Sequence, residues 1–451
     1  QFQCAQITAR FPGLTPSQIS YDPSISNAID CSARCGVDVA PPPAEEEDIG
    51  TLTISGTVID DSLAPLSQVI ISYLGPSRGT VITTEGNYQI SDLLPGDYTL
   101  KLSQAGGLPL GAKALTLSGG GTLQSEGLDL SHQNSKLLLS SITVDNVSTS
   151  KNSSSGGLYV ADNSTVSSLS VAHTTPVSIA SGKTLSGAIT LAAGSIKLDQ
   201  TGTLASAIKM IGGKLDADNS MTISGAVTQA GNAAIDVQSG KTLTFDNGTI
   251  NTENYQLTLE GAGTVAFPTN ASGIVLNHED GIFKLAGTGT VKAVQVSTAA
   301  NEGKGILVTQ SGNISNLNIS ADTELNISNG KKLYGETEVA ANKTLSLTST
   351  GTLNSALNLE GTLEVGANLK VSGLISFSTN STSSNLGTTI SIPDADTTLT
   401  YSGGDLKVET HILSLAGSGT FSNNANSPFV VGGEGSGLYI TDNGTVAGPI
   451  R

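Results

Sequence analysis

Tryptophan is absent from this sequence, methionine occurs only 2 times, and aromatic residues make up 4% of the chain. Cations are also scarce: 21 lysines and arginines stand against 38 aspartates and glutamates, which gives a formal net charge of -17. A nucleic-acid groove needs clustered cations and often stacking aromatic rings, and an anionic membrane surface attracts basic patches. The composition therefore argues against nucleic acid and against anionic membranes as partners.

Long hydrophobic runs are missing as well. No apolar stretch approaches the roughly 18 residues that indicate a membrane-spanning helix. The chain starts at Gln1 rather than at an initiator methionine, which is typical of a mature product after removal of a signal peptide. We therefore expect a secreted protein, extracellular or at the cell surface, with no membrane span.

Cysteine is confined to the first 35 residues, at Cys4, Cys31 and Cys35. In a secreted chain this pattern predicts one disulfide and one remaining thiol. We favour Cys4 paired with one of the other two, while the third cysteine is either free or bridges to another subunit. A metal site built from the three thiolates would have no nearby histidine to complete it.

Catalytic motifs are lacking too. The spacing Gly-x-Ser-x-Gly occurs at Gly75–Gly79, but there it separates two strands of the predicted sandwich, whereas a nucleophile elbow leads from a strand into a helix. The remaining candidates are two Asp-Ala-Asp pairs, Asp216 with Asp218 and Asp394 with Asp396. In a strand, both carboxylates of a pair face one side and suit a calcium ion or glycoside chemistry; in a turn they are simply solvated. We favour solvated turns and expect no catalytic residue, no cofactor and no enzyme activity.

What the chain does contain is short apolar-polar alternation broken by Gly, Asn, Asp and Ser. A Gly-Thr-apolar phrase recurs, and longer near-copies of it lie at 259–265, 285–291 and 415–421. Such self-similarity indicates stacked units, each too small to bury its own apolar face. We predict a right-handed parallel β-helix, or solenoid, over 132–451, with Gly and Asn at its tight corners. The alternative is a string of separate small sandwiches.

Three further segments precede the predicted solenoid. Residues 1–39 form a cysteine-containing segment, 40–50 a proline-rich acidic linker, and 51–131 a β-sandwich with strands and turns at regular spacing. Within the first segment an alternation of apolar and polar residues, ended by Pro-Gly, predicts a short strand able to add to a neighbour, with apolar positions Ala5, Ile7, Ala9 and Phe11.

Two stretches resemble a known family. Thr83–Leu100, TTEGNYQISDLLPGDYTL, and Ile54–Asp60, ISGTVID, are similar to carboxypeptidase regulatory-like, or transthyretin-like, domains. The resemblance implies a non-catalytic Greek-key sandwich of the kind found in secreted and surface-anchored bacterial proteins. More loosely, phrases such as Ser239–Leu243, SGKTL, resemble the β-solenoid passengers of bacterial adhesins and autotransporters.

The functional hypothesis is a secreted bacterial structural protein that assembles with itself into a fibre or matrix. The alternative is a monomeric adhesin passenger that binds a host or glycan ligand, and a polysaccharide-active β-helix enzyme ranks third. The expected partner is another copy of the chain, with glycans and other surface proteins as further candidates.

Overall fold

The computed structural model describes residues 52–57, 69–94, 98–103, 108–110, 114–125, 127–153, 156–377, 388–408, 411–433 and 436–451. Every regular element in these ranges is a β-strand, so the predicted all-β class is confirmed. No helix in the same ranges has the length and apolar character needed to cross a membrane. The chain forms two compact units, Gln1–Ile189 and Thr190–Arg451.

Among the described residues, the first unit contains thirteen strands, of which the last runs just past the unit's boundary. They are β1 (Leu52–Thr57), β2 (Ile70–Leu74), β3 (Arg78–Ile82), β4 (Asn87–Leu93), β5 (Thr99–Ser103), β6 (Leu108–Leu110), β7 (Ala114–Ser125), β8 (Leu128–Leu130), β9 (Lys136–Thr149), β10 (Gly157–Val160), β11 (Ser164–Val171), β12 (Thr175–Ile179) and β13 (Thr184–Leu191).

Strands β1 to β5 are antiparallel and form the two layers of a sandwich. Strand β1 pairs with β4, so that Ile54 lies opposite Ile90, while β2 pairs with both β3 and β5. Ile54, Ile71 and Ile90 are buried between the layers. The predicted turn before β4 is a type I′ turn, because Glu85 and Gly86 have φ of 50° and 76°. The predicted sandwich is therefore confirmed.

Parallel strand pairing begins at β5, the last of the sandwich strands. Strand β5 pairs in parallel with β7, β6 with β8, and β7 in turn with β9. From Ala114 onward the chain coils as a β-solenoid, which extends in about 15 turns to residue 447. Strands β7 and β8 therefore lie in the first coil, although both fall inside the 51–131 stretch.

The second unit consists of short strands, mostly of two to five residues, separated by corners. They are β14 (Ser195–Leu198), β15 (Thr203–Leu204), β16 (Ala207–Met210), β17 (Lys214–Ala217), β18 (Met221–Ile223), β19 (Val227–Gln229), β20 (Ala233–Val237), β21 (Thr242–Phe245), β22 (Thr249–Asn251), β23 (Gln256–Gly261), β24 (Thr264–Ala266), β25 (Gly273–Leu276), β26 (Ile282–Leu285), β27 (Thr290–Val291), β28 (Val294–Val296), β29 (Gly305–Val308), β30 (Gly312–Ile319), β31 (Thr323–Ile327), β32 (Lys332–Val339), β33 (Thr344–Leu347), β34 (Thr352–Leu353), β35 (Ala356–Leu359), β36 (Thr362–Val365), β37 (Leu369–Val371), β38 (Ile375–Phe377), β39 (Thr388–Ser391), β40 (Thr398–Tyr401), β41 (Leu406–Val408), β42 (Ile412–Ala416), β43 (Thr420–Ser422), β44 (Phe429–Val431), β45 (Gly437–Ile440) and β46 (Thr445–Ala447).

Each coil of this unit pairs in parallel register with the coil before it. One face carries a column of apolar residues that pair directly from coil to coil, namely Leu215, Ile235, Leu259, Leu285 and Val308. All five side chains are buried, at 2% exposure or less. One continuous apolar column is therefore completed coil by coil, which excludes the alternative of separate sandwiches for this unit.

The repeated phrases occupy equivalent positions in successive coils. The near-copies at 259–265 and 285–291 stack in register, with Leu259 on Leu285 and Thr264 on Thr290. A coil here is thus one copy of the repeat. Equivalent residues of the two copies resemble each other because they occupy equivalent positions in neighbouring coils.

Glycine opens the Gly-Thr-apolar phrase because a side chain would not fit there. A Cβ on Gly361 would lie 2.2 Å from the Lys343 carbonyl oxygen and 2.5 Å from that of Ala340. Thr362 follows and its N–H donates to the Lys343 oxygen at 2.7 Å. Leu363 then turns inward and is fully buried. The phrase therefore encodes a close approach, a hydrogen bond between coils and an interior residue.

We expect Gly361→Ala to lower the free energy of unfolding by about 1–3 kcal/mol, the usual cost of forcing atoms into a packed site. Gly366→Ala is the matched control, because its Cβ would meet nothing closer than the Leu347 oxygen at 3.7 Å. The control should be as stable as the parent or slightly more stable. Urea unfolding followed by circular dichroism measures both, and equal stability of the two variants would contradict the steric explanation.

Candidate functional site

The last described coil leaves part of the solenoid interior exposed. Strand β45 pairs with β42 so that Leu438 lies on Leu413 and Ile440 on Leu415. Leu413 and Leu415 are buried, at 0% and 5% exposure, but Ile440 is 48% exposed. Ile440 therefore continues an interior column that no described strand covers.

A second and a third face end in the same way. Val446 lies on Phe421, which is buried, and is itself only partly covered. Ile450 forms a parallel bridge with the buried Phe429 and is 52% exposed. We call β45, β46 and Ile450 together the open edge.

Some backbone N–H and C=O groups of β45 also point away from the neighbouring strand β42. Gly437 N–H donates to the His411 oxygen at 3.0 Å, and Thr441 N–H to the Leu415 oxygen at 2.9 Å. In a parallel strand, alternate residues direct their N–H and C=O to opposite sides. Leu438 and Ile440 therefore direct theirs away from β42, where the described part of the chain places no partner strand. Such an edge is a template for a further strand.

The first coil, in the other unit, is covered. Strand β5 pairs with β7, and Leu123 on β7 is 3% exposed. Strand β6 pairs with β8, and Leu128 on β8 is 2% exposed. Strands of the sandwich region thus cover the interior at the beginning of the solenoid, in contrast to the open edge.

The assembly and disulfide candidates of the sequence analysis fall outside the described residues. These are the apolar positions of the first segment and its cysteines, namely Ala5, Ile7, Ala9, Phe11, Cys4, Cys31 and Cys35.

Asp216 lies on β17 in a stack of charged residues that crosses successive coils. Its register neighbours are Lys197 on one side and Asp236 on the other, and Glu260 follows Asp236. Lys214 lies in the adjacent column, and its Nζ contacts Asp236 Oδ2 at 2.9 Å and Glu260 Oε2 at 3.3 Å. One ammonium group therefore joins three coils in the place where we had considered a calcium ion.

The charges in this stack shift one another's proton affinity. Burial raises the pKa of Asp216, and Asp218 and Asp236 add to the rise while Lys214 opposes it. Burial acts to lower the pKa of Lys214, but the hydrogen bond to Asp236 and the charges of Asp236, Asp216 and Glu260 outweigh it and raise the pKa. The side chains of Lys214, Asp236 and Glu260 are 30%, 28% and 44% exposed. We therefore interpret the two ion pairs as contacts between coils that solvent screens.

The structure places the members of the two Asp-Ala-Asp pairs differently. Asp218 follows the end of β17 and is partly exposed, whereas Asp394 and Asp396 lie on an exposed turn before β40. The Asp394 carbonyl accepts a hydrogen bond from Thr397 N–H at 3.0 Å, which closes that turn. Over the ranges that the structure describes, no group of three or more His, Cys, Asp or Glu side chains is arranged to hold a metal ion.

Sequence analysis did not single out Lys214, Ile440 or Ile450. A signal for Val446 was present, since Gly444-Thr445-Val446 is a copy of the repeated phrase and its apolar residue pairs in register with the buried Phe421.

Comparison with known proteins assigns the first described part of the chain. The family model of the carboxypeptidase regulatory-like domain matches residues 53–129. This chain carries a carboxypeptidase regulatory-like domain. The match confirms the resemblance noted on Thr83–Leu100. The β-solenoid follows this domain. Neither a search of curated proteins nor a search of solved structures finds a match to the chain.

Proposed function

We propose that this protein is an extracellular structural subunit whose copies assemble by strand addition at the open edge. The observation that carries the proposal is Ile440, which lies in register on the buried Leu415 and is nonetheless 48% exposed. A carboxypeptidase regulatory-like domain attached to a solenoid supports an adhesin-like structural role outside the cell. The proposal includes no catalytic step.

The donor in this proposal is the alternating segment at residues 5–11 of a second copy. Its apolar positions have the period of two that a strand stacked on β45 needs. Added to the edge, it would cover Leu438 and Ile440 with apolar side chains and pair the outward N–H and C=O groups of β45.

Energetics indicate that such a joint needs several contacts together. Full burial of an isoleucine side chain is worth about 1.5–3 kcal/mol, and each net hydrogen bond about 1 kcal/mol. Association costs about 4–15 kcal/mol in lost freedom of motion. One side chain is therefore insufficient, while a strand that buries two or three apolar residues and forms about four hydrogen bonds gains about 7–13 kcal/mol, which is of the same size as the cost. A disulfide from the remaining cysteine would reinforce the joint.

Removal of residues 1–39 tests the proposal. Electron microscopy of the intact protein should show regular filaments or a matrix, and the truncated protein should remain as single particles. Ile7→Asp places a charge on the inward side of the donor strand and should have the same effect. Thr8→Asp is the matched control on the outward side and should still assemble. Normal filaments from the truncated protein would refute strand addition by this segment.

A monomeric adhesin is the second candidate function. It is favoured by a polar depression of about 340 Å³ on the first unit, lined by Ser141, Thr143, Asn163, Thr165 and Ser186 among others. Its hydroxyl and amide groups are suited to hydrogen bonds with saccharide hydroxyls. Single particles in the micrographs, together with glycan-array binding that Asn163→Ala abolishes, would support this function instead.

A further inference from the structure

We infer that Asn329 is a site of spontaneous deamidation, in which water converts the side-chain amide to a carboxylate and ammonia is released. The sequence contains Asn-Gly pairs at Asn247, Asn329 and Asn443. In an unfolded chain all three are open to the reaction, because glycine has no side chain that hinders its own backbone nitrogen. In the folded protein Asn329 alone of the three meets the requirements of the reaction.

The reaction begins when the backbone nitrogen of the glycine attacks Cγ of the asparagine. A C–N bond forms, the side-chain nitrogen leaves as ammonia, and a cyclic succinimide results. Water then opens the ring at either carbonyl and gives aspartate or isoaspartate, so that the net change is uptake of water and loss of ammonia. The glycine N–H must therefore be free of a hydrogen bond, and the peptide needs room to rotate towards the side chain.

The Asn329–Gly330 peptide lies at the centre of an exposed turn between β31 and β32. Lys331 N–H closes the turn by donating to the Ser328 oxygen at 2.9 Å, and Gly330 has φ of 71°. Asn329 and Gly330 are both exposed, and a Cβ on Gly330 would meet nothing within 4 Å. Within the described part of the chain, Gly330 N–H donates to no hydrogen bond. The attacking nitrogen is therefore unprotected.

The glycine nitrogens of the other two pairs are held in place. Gly248 is buried, and its N–H donates to the Phe245 oxygen at 3.1 Å. Gly444 N–H donates to the Thr441 oxygen at 3.2 Å, and a Cβ on this glycine would lie 2.9 Å from the Gly417 oxygen. Attack by either nitrogen requires a hydrogen bond to break and a packed glycine to move.

Deamidation of Asn329 should leave the coils stacked. Strand β31 pairs with β29 before the turn and β32 pairs with β30 after it, and Lys332 N–H donates to Ser311 Oγ at 3.1 Å. The carbon that isoaspartate adds to the main chain therefore falls within the exposed turn, where space is open. Because Lys331 and Lys332 follow in the sequence, the new carboxylate offsets positive charge at this corner.

Two other turns show that serine fits the place of Asn329. Ser181-Gly182-Lys183 and Ser239-Gly240-Lys241 have the same central glycine, with φ of 70° and 73°. Their lysine N–H groups donate to the Ala180 and Gln238 oxygens at 2.9 and 3.0 Å, which closes the same four-residue turn. We therefore expect Asn329→Ser to fold like the parent while it lacks the amide that reacts.

Peptide mapping by mass spectrometry of the folded, full-length protein tests the inference. Trypsin places the three asparagines in separate peptides, namely Thr242–Lys284, Gly305–Lys331 and Val408–Arg451. After incubation in mildly alkaline buffer, we expect conversion at Asn329 to be several-fold faster than at Asn247 or Asn443. In concentrated urea, where the turns are lost, the three rates should converge. In Asn329→Ser no fast conversion should remain.

Equal rates in the folded protein, or faster conversion at Asn247 or Asn443, would overturn the inference. A preference for Asn329 that persisted in urea would also overturn it, because the difference would then come from neighbouring sequence and not from the fold. The converted protein should melt at the same temperature as Asn329→Ser, measured by circular dichroism. Loss of cooperative melting on conversion would contradict the placement of the added carbon in an open turn.

Discussion

Leu285→Asp should destabilise the solenoid by more than about 4 kcal/mol, which exceeds the effect of nearly all single substitutions. Leu285 is fully buried and stacks between Leu259 and Val308 on the neighbouring coils. Truncation of a buried leucine alone costs about 2–5 kcal/mol, and an unpaired carboxylate adds the cost of leaving water. Urea unfolding followed by far-ultraviolet circular dichroism measures the loss.

Lys284→Asp provides the matched control for this substitution. Lys284 is the preceding residue of the same strand, it faces outward, and it is only partly buried. The same new carboxylate should change the free energy of unfolding there by about 1 kcal/mol or less. If Leu285→Asp melted like the parent, the inward placement of this column would be wrong.

The defect of Leu285→Asp should also depend on pH. Burial raises the folded-state pKa of a new carboxyl group above its unfolded value of about 3.9, so its ionisation opposes folding. The defect relative to the parent should therefore be largest above the raised pKa and should shrink as the pH falls towards the unfolded value. A defect independent of pH would indicate that only lost packing is involved.

The sequence was sufficient to predict the solenoid because local and long-range constraints coincide in it. Alternation fixes which residues face inward, and the Gly-Thr-apolar phrase marks where one coil passes closely over the last. At Gly361 the absence of a Cβ is required by two carbonyl oxygens of the preceding coil. The same phrase therefore recurs wherever that contact recurs, and the coil can be inferred without knowledge of its neighbours.

Alternation and repeats could not predict contacts between residues that lie in different columns of the solenoid. Lys214 reaches Glu260, 46 residues further along the chain, because two coil lengths intervene and the register places the side chains together.

The two Asp-Ala-Asp pairs show the same dependence on context. Pro393 precedes Asp394 and cannot donate to a ladder, and strand β39 has already ended at Ser391, so that pair lies on a turn. Asp216, with no proline beside it, lies within a strand.

Deletion of residues 344–361 should leave a folded protein, although it removes all three strands β33, β34 and β35. Thr344 lies directly over Thr362, so one coil here is 362 − 344 = 18 residues long. Joining Lys343 to Thr362 places Leu363 in the register position of Leu345. Stability in a stacked array is a sum of nearest-neighbour interfaces, so loss of one interior coil costs one interface and preserves the others.

A deletion that is one residue shorter, 344–360, should abolish folding. Side chains in a strand alternate between faces, so a shift of one residue turns Leu363 and Val365 outward and brings Thr362 and Glu364 into the interior. We expect the 18-residue deletion to melt cooperatively near the parent temperature and the shorter one to be insoluble or to lack a cooperative transition. The shorter deletion retains more of the native chain, so loss of sequence cannot explain its failure and only the coil register can. Two deletion variants that behaved alike would mean that the coils are not stacked in the register described.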